Sequence, residues 1–337
     1  MRDAERFTVD DPRFSTAAVL GESMLSLDGP EHERHRSAFA SHFRPAIVRE
    51  EYEEMVSSCA RHLTNAVAAA GSAELRTALA GPLAVESITR FIGLADVEPA
   101  TMLDWYRNLS SAIVGVATGE EIPQAGHESL AQLYEGISST VAEGSSGLLR
   151  TLEDEAILAA DEITPATAVV MFGAIETSEG MTANALWHLL SHPQVLAEVA
   201  ADRSLLSAVI EESLRLEPAA AVIDRYTTCD ALLGDVVIPE REMVTISLLG
   251  ANRDPNVFVD PDRFDIGRNN LSKHVTFVQG PHGCMGLHLA RLETTAAIGA
   301  VLDLLPAISL NQEESQPPEG LIFRKPPAVT ATWQPRS

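Results

Sequence analysis

Cysteine is scarce in this sequence, and so are basic residues and long apolar runs. The three cysteines, Cys59, Cys229 and Cys284, lie far apart and lack the spacing of a zinc finger or a disulfide framework. This distribution fits a reducing compartment. Each cysteine therefore has to be explained individually.

Basic side chains are outnumbered by acidic ones, with 24 lysines and arginines against 48 aspartates and glutamates and a formal net charge of −24. Binding to nucleic acid needs basic patches that release counterions from phosphate. The charge balance therefore argues against nucleic acid as a partner and favours solubility.

No segment is apolar over the length that a membrane-spanning helix requires. The uncharged apolar run at residues 166–175 ends at Glu176. Residues 1–12 are charged and lack the apolar stretch and cleavage site of a signal peptide. We expect a cytoplasmic protein without membrane contact.

Helical periodicity dominates the chain and predicts helices at residues 47–69, 82–91, 128–142, 165–190, 194–200, 205–216 and 286–305. Strand patterns come late, at residues 231–238, 243–249, 321–324 and 329–333. Residues 144–147 and 312–320 have the composition of surface loops. With no internal repeat and no long linker, these patterns predict one domain over residues 1–337, mainly α with small β-sheets.

The longest predicted helix starts with Thr164 as its N-cap and Pro165 at its first position, and it ends before Pro193. This span is about 27 residues long. Gly173 and Gly180 lie in its interior, where each glycine costs roughly 1 kcal/mol relative to alanine. A close approach or a local widening of the helix would explain them.

Cys284 lies in Phe277-Val-Gln-Gly-Pro-His-Gly-Cys-Met-Gly, directly before an apolar helix. Free N–H groups at a helix start lower a thiol's pKa and favour a nucleophilic or metal-binding thiolate. A lone cysteine is more often a buried core thiol. A zinc site would use His282 and His288 but lacks a second cysteine pair. The surrounding glycines instead let a flat ligand approach the backbone.

The pattern Phe-x-x-Gly-x-His-x-Cys-x-Gly resembles the haem-binding loop of the cytochrome P450 family, as found in its soluble bacterial monooxygenases. The resemblance implies a haem b cofactor, with Cys284 as the axial ligand of the iron and Phe277, His282 and Gly286 beside the haem. It also implies the mainly helical P450 fold.

Residues 173–178, Gly-Ala-Ile-Glu-Thr-Ser, are similar to the family's oxygen-activating segment, Ala-Gly-x-Glu/Asp-Thr-Thr. The resemblance implies that Glu176 and Thr177 deliver protons to bound dioxygen and that Ala174 lies against the haem. Alternatively, the Thr177 hydroxyl bonds back to its own helix and Glu176 is a surface residue.

Other family motifs occur in the expected order. Glu212 and Arg215 resemble the Glu-x-x-Arg pair, with Arg263 as the third, structural member. His32 and Arg36, one helical turn apart, resemble the residues that bind a haem propionate, Arg225 resembles the second arginine of that site, and His282 would add another donor. Without the family context, His32 and Arg36 would be part of a solvated basic face.

The resemblance runs from about residue 10 to residue 333, starting roughly 50 to 70 residues into the family pattern. The usual first helix and first strands are therefore expected to be absent. Substrate contacts are expected in the variable segments 16–27, 114–129 and 219–223.

The resemblance implies a monooxygenase that hydroxylates or epoxidises a small organic substrate, with secondary metabolism as the expected setting. Because the chain has no flavin or iron–sulfur segment, electrons would come from a separate ferredoxin or flavodoxin, docked by basic residues such as Arg34, Arg44, Lys273 and Arg291. The alternatives are a peroxide-driven haem oxidase, which Glu176 and Thr177 argue against, and a non-catalytic haem-binding or accessory protein.

Overall fold

The computed structural model describes residues 1–94, 97–144 and 147–335. Helices dominate these residues: α1 (Ser15–Leu20), α2 (Gly29–Ala40), α3 (Pro45–Ile47), α4 (Glu53–Val67), α5 (Gly81–Ile92), α6 (Pro99–Ala117), α7 (Gln124–Gly144), α8 (Gly147–Glu155), α9 (Ala160–Ser191), α10 (Pro193–Ala201), α11 (Leu206–Leu216), α12 (Leu248–Ala251) and α13 (Leu287–Leu304). Single π-helical turns precede α4 and α5, at Val48–Tyr52 and Arg76–Ala80.

The strands are short and form small antiparallel sheets: β1 (Phe7–Thr8), β2 (Ser72–Glu74), β3 (Val222–Thr227), β4 (Ala231–Leu233), β5 (Val236–Ile238), β6 (Met243–Ser247), β7 (Ser309–Leu310) and β8 (Thr330–Thr332). One sheet has the order β1-β3-β6, a second has the order β2-β8-β7, and β4 pairs with β5. The predicted mainly α architecture with small sheets is confirmed.

Helix α9 runs through the middle of the molecule and packs against α5, α6, α7, α11 and α13. It is apolar on nearly all sides, which is the composition of a helix enclosed by other helices rather than of a surface helix. One continuous hydrophobic core joins side chains from Val19 to Trp333. Among the described residues, no helix is both long and apolar enough to cross a membrane.

Helix α9 begins one turn earlier than the sequence predicted, so the prediction of Thr164 as its N-cap was wrong. The backbone N–H of Ala159 donates to Glu162 Oε2 at 2.7 Å, and Asp161 and Glu162 place negative charge in the first turn. Pro165 lies inside the helix. The Glu162 carboxylate therefore starts the helix before Pro165, although proline often marks the first position of a helix.

The strand predictions held in part. Residues 231–238 form a hairpin, because Gly234 adopts a positive φ between β4 and β5. Residues 321–324 were predicted as a strand but form no regular strand, and Phe323 makes only an isolated bridge to Ala220. Of the predicted loop at 144–147, residues 145 and 146 lie outside the described residues; α7 ends and α8 begins on either side of them.

Candidate haem-thiolate site

A cavity of about 1150 Å³, including its open mouth, lies between α9 and the loop that carries Cys284. Its walls are largely apolar. The residues that line it include seven of those singled out in the sequence: Arg36, Ala174, Thr177, Phe277, His282, Cys284 and Gly286. Segments far apart in the chain therefore meet around one space.

The Cys284 loop is shaped by hydrogen bonds within its own backbone. The Cys284 N–H donates to the Phe277 carbonyl at 2.8 Å, and the Gly283 N–H donates to the Gly280 carbonyl at 3.0 Å. Gly280 has a φ of 88°, a conformation that residues with a side chain rarely adopt. Gly286 is the N-cap of α13. The loop thereby presents the Cys284 side chain to the cavity at the start of a helix.

The electrostatics of this thiol differ from the expectation of a lowered pKa. Desolvation raises the pKa of Cys284, although the N–H groups of Gly286 and Leu287 and the charges of Arg36 and Arg291 act to lower it. The predicted helix-start effect is present but smaller than the cost of the apolar surroundings. A cation bound at the sulfur would remove that cost, because it stabilises the thiolate directly.

The opposite wall of the cavity is formed by Gly173, Ala174 and Thr177 of α9. A side chain added at Gly173 would meet no atom within 4 Å, so this position borders open space. The Thr177 hydroxyl donates to the Gly173 carbonyl one turn earlier, as one of the sequence alternatives expected. Helix α9 remains α-helical through this point, so no local widening occurs at Gly173.

Glu176 does not line the cavity, although its neighbour Thr177 does. Its carboxylate is only 5% exposed. Glu176 Oε2 accepts a hydrogen bond from the Ser110 hydroxyl at 2.8 Å, and Oε1 lies 2.9 Å from the Lys325 ammonium. Glu176 is thus not the surface residue that the alternative interpretation assumed.

His32 and His282 meet at the side of the cavity, with ring centroids 4.3 Å apart. His282 Nε2 lies 2.7 Å from Asp28 Oδ1. Burial acts to raise the pKa of Asp28, but hydrogen bonds from His282, Thr8 and the Val9 N–H lower it to about 2. Because the ionised carboxylate only accepts hydrogen bonds, His282 Nε2 carries the proton.

His32 Nε2 is buried without a hydrogen-bond partner among the described residues. Burial, together with the nearby His282 and Arg36, lowers the pKa of His32 to about 4. A neutral imidazole with one unsatisfied buried nitrogen is costly unless a ligand completes its hydrogen bonding.

Arg36 and Arg225 are cations without an ion pair to any described residue. Arg36 Nη2 donates to the Gly283 carbonyl at 2.7 Å, and Arg225, only 6% exposed, donates to its neighbour's carbonyl, Asp224 O. Burial lowers the pKa of both arginines. A buried, unpaired guanidinium favours an anionic ligand.

Two of the three segments expected to contact substrate reach the cavity. Met24 and Leu25 line it from the first segment, and Ala219 and Ala220 line it from the third. Among the described residues, none from 114–129 lines this cavity. That segment instead comprises the last turn of α6, the connecting loop and the first turns of α7.

The four basic residues expected to dock a redox partner differ in their availability. Arg34 is paired with Glu31 and Glu162, at 2.7 and 2.6 Å. Arg291 is held by Glu211 at 2.6 Å, and its guanidinium lies 4.5 Å from the centroid of the Phe277 ring. Arg44 and Lys273 are exposed.

Comparison with known proteins decides the family. The family model described as "Cytochrome P450" matches residues 124–330. The chain is 32% identical over 332 residues to "Cytochrome P450 monooxygenase PikC" of Streptomyces venezuelae, covering 92% of this chain and 78% of that protein. It is 29% identical to "Cyclomarin C epoxidase CymV" of Salinispora arenicola, covering 92% of this chain and 83% of that protein.

The fold is also shared with solved structures. P450BioI, in complex with hexadec-9Z-enoic acid ligated acyl carrier protein, superposes with a TM-score of 0.87 at 26% identity, over 99% of this chain and 89% of that chain. The chain belongs to the cytochrome P450 family.

A P450 monooxygenase is an oxidoreductase with a haem-thiolate cofactor, and it requires an organic substrate, dioxygen and a redox partner. The residues around the cavity fit such a cofactor. The unsatisfied His32 nitrogen and the unpaired Arg36 and Arg225 match an anionic group, and Cys284 provides a thiol in the cavity lining. His32 and Arg225 do not themselves line the cavity.

The buried ion-pair network of this P450 differs from the prediction in one residue. Glu212 and Arg215 pair at 2.7 Å with both side chains fully buried. Arg263 is 68% exposed and contributes only its carbonyl, which accepts from Arg215. Arg268, 7% exposed, binds Glu212 at 2.9 Å instead. The prediction of Arg263 was wrong because its side chain is exposed to solvent. The sequence contains a second arginine five residues later, Arg268, which could have been considered for this role.

Proposed function

We propose that this P450 binds haem b in the cavity with Cys284 as the axial ligand, and that it hydroxylates or epoxidises a small, uncharged organic molecule. One observation carries the proposal: Thr177 of α9 and Cys284 of the loop before α13 line the same apolar cavity. Bound haem, ligated by a thiolate, supplies the reductive activation of dioxygen.

The chain's own groups hold this cofactor in place. His32, Arg36 and Arg225 would bind the propionates, because they are unsatisfied or unpaired polar groups. Arg36 lines the cavity, His32 packs on the lining residue His282, and Arg225 interacts electrostatically with Asp28, the partner of His282. Asp28 fixes the ring of His282 at 2.7 Å, and His282 in turn packs on His32. Phe277, Ala174 and Gly286 form the apolar walls against the macrocycle.

Thr177 and Glu176 deliver protons. The Thr177 hydroxyl lies in the cavity wall, where it hydrogen-bonds groups in the cavity once it leaves the Gly173 carbonyl. The Glu176 carboxyl is buried outside the cavity lining, where it pairs with Lys325 and accepts from Ser110. Proton delivery into a dry pocket requires a hydroxyl in the wall and an acid near it.

The substrate is apolar and without charge. Apart from Arg36, assigned above to a propionate, the lining side chains that face the substrate are uncharged, including Met24, Leu25, Val169 and Val170. The relatives of this chain include a cyclomarin C epoxidase and a 6-deoxyerythronolide B hydroxylase. These names support a role in secondary metabolism.

Electrons come from a separate ferredoxin or flavodoxin in the cytoplasm, and residues 1–337 act as one domain. The exposed Arg44 and Lys273 support docking of an acidic carrier. The continuous core from Val19 to Trp333 supports a single domain.

Thr177→Val keeps the shape of the side chain and removes its hydroxyl, so it tests this proposal. With a surrogate ferredoxin, its NADPH-dependent reductase and styrene as probe, we expect styrene oxide per NADPH to fall by about 10-fold or more, with electrons diverted to hydrogen peroxide. Thr177→Ser should retain most of the coupling. Unchanged coupling in Thr177→Val would exclude Thr177 from this role. Haem-containing wild type that consumes no NADPH would favour the accessory-protein alternative.

A further inference from the structure

Lysine is rare in this chain: the sequence contains only Lys273 and Lys325. Lys273 is exposed, whereas the Lys325 side chain is only 18% exposed. Lysine is seldom enclosed unless its charge is paired. Its surroundings therefore need an explanation.

The Lys325 ammonium bridges two acids on one face of α9. It lies 2.9 Å from Glu176 Oε1 and 2.7 Å from Glu179 Oε2. The other oxygen of Glu179 lies 3.2 Å from Arg76 Nη1, and the other oxygen of Glu176 accepts from Ser110. Two acids and two bases balance in charge, and each side chain is less than one fifth exposed.

The backbone that carries Lys325 is fixed on both sides. The Lys325 N–H donates to the Glu319 carbonyl at 3.1 Å, and the Arg324 N–H donates to the Ala219 carbonyl at 2.8 Å. The Asn184 side-chain amide, from α9 itself, donates to the Arg324 carbonyl at 3.1 Å. The ammonium is therefore held relative to α9 by the fold rather than by a free chain end.

We propose that Lys325 is a positioning residue for proton delivery: its ammonium pairs with the Glu176 carboxylate and fixes that side chain on α9, one residue before Thr177. This inference rests on the proposed roles of Glu176 and Thr177. Ser110 alone leaves a buried carboxylate without a cation, and a carboxylate in that state takes up a proton and loses its fixed orientation. Glu179, which is itself paired with Arg76, contacts the ammonium through its other carboxylate oxygen.

The test separates Lys325 from the network around it. Glu179→Gln keeps a side-chain carbonyl that can accept from the Lys325 ammonium and leaves Lys325 paired with Glu176, so we expect coupling close to that of the wild type. Lys325→Met combined with Glu179→Gln removes one positive and one negative charge, which keeps the remaining charges balanced if Lys325→Met alone fails to fold. In this double variant we expect a several-fold rise in hydrogen peroxide per NADPH with styrene as probe. The single variant Lys325→Arg keeps a positive charge at this position and should retain most of the coupling of the wild type. Arg150→Met, in an exposed pair with Asp154, is the control for loss of a cation.

A second measurement does not depend on turnover. In the infrared spectrum at neutral pH, the double variant should gain a protonated-carboxyl band that Glu179→Gln lacks and that adding Glu176→Gln removes. Peroxide yield and infrared spectrum equal to those of Glu179→Gln would overturn the role of Lys325. If wild type shows no electron transfer to dioxygen, the proposed function fails instead, whatever the infrared spectrum shows.

Discussion

Glu293, on α13, carries a carboxyl group that is enclosed by the protein interior. It is 1% exposed, and neither carboxyl oxygen has a hydrogen-bond partner of good geometry among the described residues. Burial raises the pKa of Glu293 to about 8, and the nearby hydroxyls of Ser178 and Ser87 offset only part of that shift. Glu293 is therefore protonated in the folded protein at neutral pH.

This carboxyl makes stability depend on pH. Between its ordinary pKa of 4.5 and about 8, the unfolded chain releases the proton that the folded chain keeps. The contribution of Glu293 to the free energy of unfolding is thus complete below pH 4.5 and falls by about 1.4 kcal/mol per pH unit up to about 8. Glu293→Gln should flatten the profile measured by urea unfolding at a series of pH values. The exposed Glu313→Gln is the control, and a profile unchanged by Glu293→Gln would contradict the buried, protonated state.

At the level of single residues, the sequence motifs predicted which residues line the cavity better than they predicted the direction of a pKa shift. The spacing around Cys284 and Thr177 placed both residues on one cavity. The direction of the Cys284 pKa shift was wrong, because desolvation depends on neighbours that come from distant parts of the chain. The Lys325 bridge to Glu176 was missed for the same reason: 149 positions separate the two residues.

At the level of elements, the end of α11 is tied to the loop that follows α12 through Glu212. Arg215 donates to the carbonyls of Asn252 and Pro261, and Arg268 donates to Glu212 as well as to carbonyls of the same loop. This fully buried carboxylate therefore depends on two guanidinium groups.

Arg268→Met should remove one of these two guanidinium groups and leave the buried Glu212 carboxylate paired with Arg215 alone. We expect a loss of about 3–5 kcal/mol in the free energy of unfolding, the usual cost of breaking a buried ion pair from one side. Arg263→Met, at an exposed position in the same loop, should change stability by less than about 0.5 kcal/mol. Denaturant unfolding of both variants measures the difference. Equal losses, or a larger loss for Arg263→Met, would restore Arg263 as the third member of the network.

The helices could be predicted where apolar residues recur regularly at helical spacing. A helix was missed where polar residues interrupt that pattern. Helix α6 was not predicted, although Met102, Tyr106, Leu109 and Ile113 follow helical spacing and are buried. Two serines and an asparagine between them weaken the local preference for helix, which packing against α7 and α9 overrides. Gly180 in α9 is explained by packing as well, because an added Cβ would lie 3.0 Å from Ala219 Cβ.

At the level of the whole molecule, the cavity is an assembly of distant segments. Arg36 comes from α2, Thr177 from α9, Ala219 from the segment after α11, and Cys284 from the loop before α13. Sequence periodicity predicts each helix but not which segments meet around the cavity. That arrangement was therefore predicted only from the family resemblance. The match of the family model over residues 124–330 and the superposition on P450BioI agree with that arrangement.

The central claim is that Cys284 is the axial ligand of a haem in this cavity. The most direct measurement is the absorption spectrum of the purified, dithionite-reduced protein with carbon monoxide, beside Cys284→Ser. We predict the strongly red-shifted band of thiolate-ligated haem in the wild type and its loss in Cys284→Ser. A wild type that takes up no haem, or a Cys284→Ser variant that keeps the red-shifted band, would contradict the assignment.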